Sequence, residues 1–526
     1  MKYIKGKDRN QVTLIPTSLE DAIETDNEVR LIDLFVDSLD FKVLGFKVDH
    51  TENGRPAYHP SDLLKLFIYG YLNTIRSSRR LEKECHRNVE LMWLLKGLIP
   101  DHNTIANFRK DNPEAIRKVF KQTVQVAKDF ELIGGKLIAG DSTKIRAQNA
   151  KKKNYNKKKI ARNIEYIDTR LTHYNKQLAS ADGDNKKTIE QQIEKYNKRR
   201  DDYEQLNKKL NESTEVQIST SDPDSRNIII RNRITEVCYS VQTTVDAKCN
   251  IPIDYKTSNR NDTKAMGPML GRAVAIIGHN KFTALYDKGY HTGTELKTAC
   301  ELGVNAIVAA PKLGSASRAP DPAYNVQYFE YDHINDVYTC PQGKKLTSNQ
   351  SWYTNSNTKS RFKQYKTKAC VSCKVKTLCT TAKNGKLISR SEYQQYYEQN
   401  KKRLQDNPEL YKRRQAIVEH PYGTIKRYWG FDHVITKKGI KRAAADIGLI
   451  FTAYNLRRIF NLVPKKELKE LMEKLLRHYL TLSKQFKLIK CLSINHSFQL
   501  QTHLINYKKH ESINDKNSFL SISLSF

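Results

Sequence analysis

Apolar residues recur at helical spacing through the first quarter of the chain. In HPSDLLKLFIYGYLNTI, residues Leu63, Leu64, Phe67, Ile68 and Tyr71 fall on one face. This predicts an amphipathic helix with Ser61 as its N-cap. SSRRLEKECHRNVELMWLLKGL predicts two shorter helices. PDHNTIANFRKDNPEAIRKVF predicts another through Phe108 and Arg109, capped by Asp101 or Asn103. Short helices joined by tight turns over residues 1–130 suit a helix-turn-helix-like DNA-binding domain. They also suit a helical packing domain that touches no DNA.

The pattern then changes. Lys136 to Gly140 reads as a short strand ending at Asp141. Over 151–212, Ile160, Ile164, Ile167, Leu171, Tyr174 and Leu178 repeat in helical steps. The repeat resumes after ASADGDN at Ile189, Ile193, Tyr196, Tyr203 and Leu210. A heptad seam interrupted by a turn predicts an antiparallel helical hairpin, and the strand signals on both sides make it an insertion. VCYSVQTTVDAKCNIPIDYKT predicts two strands around a turn near residues 247–250, followed by a helix over about 263–277. KFTALYDKGYHTGTELKTACELGVNAIVAAP predicts strand, loop, helix and strand, with Asp287 closing the first strand. Residues 311–400 read as loop-rich. Residues 408–428 have a helical pattern and carry Glu419, with Pro421 set to kink or loosen the helix beside it. An apolar helix over 437–461 and an amphipathic one beyond Pro464 complete the chain, before a polar, irregular tail.

Charge adds a partner. Lys and Arg number 91 against 57 acids, a net +34, and a field of that sign favours polyanions, nucleic acid first. The apolar runs are too short to span a bilayer, and the N-terminus lacks a secretory segment. Nine cysteines in 526 residues do not read as a disulfide framework, so the expected setting is reducing and cytoplasmic, with no membrane. The hairpin carries 17 Lys/Arg and 10 Asp/Glu, the mixed surface usual for a solvated face.

Three carboxylates stand out by position. Asp141 and Asp287 close strands of an α/β region, where ligand sites lie in open sheets. Small residues beside them, in GDST and DKGY, leave their oxygens room. Glu419, on a helix packed by the sheet, supplies a third acid. Three carboxylates are a minimal oxygen set for two Mg²⁺ (or Mn²⁺) ions acting on a phosphodiester. Taken singly, each acid is as readily a turn former or a salt-bridge partner.

At these residues the chain resembles a bacterial insertion-sequence transposase of the DDE type, in the group with a Tyr–Arg–Glu–Lys signature. The resemblance covers most of the chain. It runs from YHPSDLLKLFIYGYLNTIRSSRRLEKECHRNVELMWLLKGLIPDHNTIANFRKDN through IAGDSTKIRAQNAKKKN, QISTSDPDSR and YSVQTTVDAK to ALYDKGYHTGTEL and VEHPYGTIKRYWGF. It implies an α/β fold in which an RNase H-like mixed-sheet catalytic core, over 131–463, carries the hairpin 151–212 and a Cys-rich insertion 325–400. An all-helical N-terminal domain precedes the core, and a C-terminal helix and tail, 464–526, follow it. It implies metal-dependent cleavage and joining of double-stranded DNA at the ends of a mobile element, with Asp141, Asp287 and Glu419 holding the metal, and a homodimer as the working form. A repurposed, catalytically silent DNA-binding relative is the alternative. Lys426 lies seven positions after Glu419, as the signature asks. Tyr411 and Arg414 are the nearest upstream pair, although Arg414 lies five positions before Glu419 where the pattern wants four. Tyr411, Arg414, Lys426, Arg427 and, from the N-terminal domain, Arg109 are the expected DNA contacts.

Cys340, Cys370, Cys373 and Cys379 share one segment. The two-residue gap between Cys370 and Cys373 suits a zinc knuckle, and four thiolates satisfy a tetrahedral site. The wider spacing of Cys340 and Cys379 leaves four reduced cysteines in a packed lobe as the equal alternative.

Overall fold

A computed structural model describes residues 18–48, 56–213, 215–231, 234–311, 318–356, 359–436, 438–474 and 477. The expectation of a polar, irregular tail lies outside the described residues. Contacts divide the chain into two units, residues 1–108 with 460–526, and residues 109–459.

The first unit is helical: α1 (Glu28–Asp37), α2 (Phe41–Leu44), α3 (Pro60–Leu72), α4 (Ser78–Cys85), α5 (Val89–Leu94) and the start of α6 (His102–Asp111). In α3, Leu64, Phe67 and Tyr71 are fully buried, but so are their neighbours from Leu63 to Leu72, so the helix is enclosed on every side and not on one face alone. The cap is His59 rather than Ser61. His59 Nδ1 accepts the Ser61 N–H at 3.2 Å, and Pro60 takes the first helical position, where its fixed φ and missing N–H cost nothing. Asp101 caps α6, its Oδ1 accepting from the backbone of Asn103 and Thr104. The predicted helix beyond Pro464 is present over residues 465–474, with Leu468 and Met472 buried.

The second unit begins with α7 (Pro113–Asp129). Expected as the end of the helical domain, α7 instead packs on the sheet. Phe120 stands edge-on to Tyr255 at 5.0 Å, and Arg117 pairs with Asp254 at 3.0 Å. There follow β1 (Leu137–Arg146), β2 (Asn154–Asn156), α8 (Lys157–Leu178), α9 (Gly183–Glu212), β3 (Gln217–Ser219), β4 (Arg226–Arg231), β5 (Ile234–Asp246), β6 (Ile251–Ser258), α10 (Met266–Ile277), β7 (Thr283–Tyr286), α11 (Gly293–Glu301) and β8 (Asn305–Val308). The central sheet runs β4-β5-β1-β7-β8, and β6 also pairs with β5. β5 lies antiparallel to β1 and to β6, whereas β7 and β8 run parallel to β1. The sheet is therefore mixed and the unit α/β.

The predicted hairpin is α8 and α9. Arg200 bonds Asp168, and Tyr174 meets Tyr196 at 5.5 Å, so the helices run antiparallel. Ile160, Ile167 and Leu210 of the seam are buried. The short β2–β3 pair ties the base of the hairpin together.

The stretch read as loop-rich holds a second six-stranded sheet, entirely antiparallel: β9 (Glu330–Asp332), β10 (Val337–Thr339), β11 (Lys345–Ser348), β12 (Tyr353–Thr354), β13 (Arg361–Lys366) and β14 (Ile388–Ser391), with the short helix α12 (Lys376–Cys379) before β14. Its core is Phe329, Tyr338, Leu346, Tyr365 and Ile388. Strands this short show too few alternations to register as a period. The unit continues with α13 (Gln394–Asp406), α14 (Pro408–Tyr422), a π-helical turn over Gly423–Tyr428, and α15 (Ile440–Leu462). The loosened hydrogen bonding predicted at Pro421 appears as that π turn, which starts two residues later.

Candidate active site

The central sheet brings two of the three acids together. β1 pairs in parallel with β7 at Leu137↔Thr283, Ile138↔Ala284 and Ala139↔Leu285. Continued by two residues, that register sets Asp141 beside Asp287. The expectation that Asp141 ends its strand is corrected. β1 runs on to Arg146, paired with β5 as far as Cys238. What stops near Asp141 is the parallel ladder, because β7 ends at Tyr286. The carboxylate thus stands where one neighbouring strand has left and the other still holds the backbone straight.

Alternation decides which way the acids face. Ala139 and Leu285 lie two residues before the two acids and belong to the core that Ile417 and Val418 of α14 complete. Side chains repeat every second residue on a strand, so Asp141 and Asp287 share the face that α14 covers. The opposite face explains Gly140. A Cβ there would lie 2.1 Å from the Tyr286 ring, so only glycine lets that ring lie across β1.

The surroundings of Asp141 are built from α14. Arg414 donates to Asp141 Oδ2 at 3.0 Å, and the Tyr422 hydroxyl donates to the Asp141 carbonyl at 3.1 Å. The Ser142 N–H donates to Oδ1 at 2.7 Å. Burial pushes the Asp141 carboxyl above its ordinary range and Asp287 adds to this, while Arg414 and the Ser142 N–H work against it. Arg414 holds its proton more tightly than usual, because Asp141 outweighs the burial that opposes its charge. Asp287 caps the turn after β7, its Oδ1 accepting from the Gly289 N–H at 2.7 Å.

Glu419 is on α14 between Arg414 and Tyr422, but its carboxylate is exposed and accepts from Gln415 at 2.9 Å. Five residues separate Arg414 from Glu419, about 140° around a helix, so they flank opposite sides of the covering face. Among the described residues, no three His, Cys, Asp or Glu side chains are arranged to hold a metal ion as they stand. Asp141 and Asp287 fit a divalent cation by their oxygen chemistry and adjacency. Glu419 completes the set only by reorienting.

Of the five residues expected on DNA, Arg427 is exposed and four turn inward. Arg414 bonds Asp141, and Tyr411 donates to the Tyr286 carbonyl at 3.1 Å. Lys426 donates to the Lys144 carbonyl at 3.0 Å. Arg109 is 3% exposed and faces Asp446 at 3.7 Å, which corrects its assignment as a phosphate contact. Trp429 is buried, the commoner fate of an aromatic, but Tyr428 is 83% exposed beside Arg427.

Sequence reading missed Asp262. Its Oδ1 accepts from Gln242 at 2.6 Å and from Lys144 at 3.3 Å, and Lys144 also bonds Ser142 and Ser240. A Cβ on Gly289 would lie 2.9 Å from Asp287 Oδ1 and 3.7 Å from Asp262 Oδ2, so Asp262 is a third acid flanking that turn. Its segment, NRNDTK, has no periodicity to mark it. Tyr422 was within reach, since it sits three residues past Glu419 in the motif VEHPYGTIK.

Two family models match the chain: a transposase domain (DUF772) over residues 17–111 and a transposase DDE domain over residues 339–460. The second includes Glu419 and Lys426, whereas Asp141 and Asp287 fall outside both matches. No curated protein matches. A solved piggyBac transposase synaptic complex with hairpin DNA aligns at 8% identity over 86% of this chain and 81% of that one. Its TM-score is 0.28, too low to bear on fold or function. No helix among the described residues is long and apolar enough to cross a membrane.

Proposed function

On the premise the family matches support, an insertion-sequence transposase of the DDE type, we propose that this protein binds the ends of its element and catalyses metal-dependent cleavage and transfer of DNA strands. The observation that carries the reading is the adjacency of Asp141 and Asp287 at the end of a parallel ladder beneath α14. The strand order supports an RNase H-like core: an antiparallel set of three, β6, β5 and β1, continued by two parallel strands, β7 and β8.

Asp141, Asp287 and Glu419 are the proposed catalytic carboxylates, holding two Mg²⁺ or Mn²⁺ ions. Such ions activate an attacking oxygen and neutralise charge on the leaving one. Arg414 and Tyr422 hold Asp141 from its side chain and its backbone, so the carboxylate is oriented before any substrate arrives. Arg414 also offsets the charge of two adjacent acids in a partly desolvated place. Arg427, in the π turn after α14, is exposed and can meet a phosphate. The net +34 supplies sequence-independent attraction to DNA.

The test is incubation of the full chain with a DNA fragment bearing the element's own ends and Mg²⁺. Nicks at the ends, followed by joined products, are expected. DNA left intact with Mg²⁺ and with Mn²⁺, despite tight binding, would favour the catalytically silent DNA-binding alternative.

A further inference from the structure

We propose that Cys340, Cys370, Cys373 and Cys379 together bind one structural zinc ion. Zinc thereby fastens the turn after β10 to the segment that joins β13 to β14 within the second sheet. The proposal is independent of the strand-transfer reading.

The four cysteines come from three separate places in the lobe. Cys340 follows β10, Cys370 and Cys373 lie in the turn after β13, and Cys379 ends α12. Folding brings all four to the wall of one small cavity of about 30 Å³, with Phe329 and Lys386 among its other lining residues. Thirty residues of chain separate Cys340 from Cys370, so their convergence is a product of the fold and not of local spacing. All eight cysteines among the described residues are free thiols.

The backbone at Cys340 and beside Cys370 is shaped around the sulfurs. At Cys340 the chain turns sharply. The Gly343 N–H donates to the Cys340 carbonyl at 2.8 Å, and the Lys344 N–H donates to Cys340 Sγ at 3.3 Å. Gly343 has φ +70° in this turn, which only glycine adopts freely. A backbone N–H aimed at sulfur stabilises the thiolate that zinc requires and fixes the ligand's direction. Gly385, with φ +91°, lies so close to Cys370 that a Cβ there would be 2.3 Å from Cys370 Cβ. Glycine at that position holds the strand-side chain against the knuckle.

The charges agree. Four thiolates around Zn²⁺ leave a net charge of −2 in a partly buried place. Lys386 is 6% exposed and lines the same cavity. A buried lysine needs an anionic partner to repay its desolvation, and a zinc-thiolate centre is one. Among the described residues no three thiols stand at ligating distances, so binding includes a closing of the four sulfurs onto the ion.

The experiment uses the full chain, expressed with zinc in the medium and purified without chelator. Elemental analysis should find about one zinc per chain. That zinc should persist in Asp141→Ala and in Asp287→Ala, which separates it from the carboxylate pair. Cys370→Ser and Cys379→Ser should each lose most of it. Exchange with Co²⁺ should give the intense visible absorption of a tetrahedral thiolate site. If the serine variants fail to fold, Lys386→Met keeps all four thiols and should release zinc to a competing chelator about tenfold more readily. Less than about a tenth of an equivalent of zinc in the parent protein, with no cobalt spectrum, would overturn the proposal. So would a thiol count showing two disulfides among the four cysteines.

Discussion

The second unit contains two six-stranded sheets, and each has an aspartate at a critical place. Asp141 is 24% exposed and Asp336, on the turn between β9 and β10, is 22% exposed. Their carboxyls nevertheless shift in opposite directions. Burial raises Asp141 and Asp287 adds to the rise, beyond what Arg414 recovers. Burial acts on Asp336 too, but bonds from Lys363, Tyr365 and Tyr331 overcome it and hold the group well below the ordinary range. Lys363 donates to Asp336 at 2.8 Å, and the Tyr331 hydroxyl donates to Asp336 at 2.7 Å. The difference lies in the partners. Lys363, Tyr365, Tyr331 and Gln350 all bond Asp336, so its charge stabilises the fold. Asp141 is more deeply desolvated and stands next to a like charge, which Arg414 and the Ser142 N–H only partly offset, so its charge costs stability. The antiparallel sheet surrounds its aspartate with donors, while the parallel ladder sets two acids side by side.

The largest effect that could break this contrast is catalytic. Asp141→Ala, Asp287→Ala and Glu419→Ala should each lower cleavage of element-end DNA by on the order of 1,000-fold or more, with binding in gel-shift assays retained. Asp336→Asn should leave cleavage by the folded protein within about threefold. Normal cleavage by any one of the three alanine variants removes that residue from the site, and Glu419 is the most exposed to this test.

The next effect concerns packing. Gly140→Ala puts a methyl into the Tyr286 ring, and overpacking of this kind costs about 1–3 kcal/mol. Urea unfolding should show that loss. Cleavage should fall as well, because any shift of β1 moves Asp141. Unchanged stability would mean that the ring does not lie across β1.

A third test uses pH. Because the folded state lowers the Asp336 pKa, its contribution should be present above the usual carboxylate range and lost as pH falls below it. Asp336→Asn should therefore cost about 1–2 kcal/mol at neutral pH and progressively less in acid. Asp141 has the opposite sign. Its raised pKa means that its proton is held more tightly in the folded chain, so its contribution is full below the usual range and is lost as pH rises through the raised value. Relative to the parent, Asp141→Asn should become more favourable in thermal melts as pH rises above the usual carboxylate range. Parallel pH trends for the two variants would remove the comparison.

The smallest effect is expected from the hairpin. Replacing residues 157–212 with a short linker should shift the midpoint of the remaining core by no more than a few degrees, since β2 and β3 already hold the two ends together. Loss of all folded protein would show that α8 and α9 are part of the core.

The sequence by itself determined the elements whose periods are long enough to count: α3, the α8–α9 hairpin, the β5–β6 pair, and the strand that Asp287 closes. It also determined the basic charge, and it offered the three acids as candidates. Register and direction came only from the tertiary structure. That Asp141 lies beside Asp287 follows from a parallel pairing between strands 137 residues apart in numbering (146 against 283), and no local pattern encodes such a pairing. The inward turn of Arg414 and Lys426 depends on which face of their segment meets the sheet, and that of Arg109 on the approach of α15. A sequence shows that those residues are charged but not what they touch. Asp262 and the second sheet escaped for the converse reason, because their local stretches are too short or too irregular to carry a period. Long-range contacts alone give them a place.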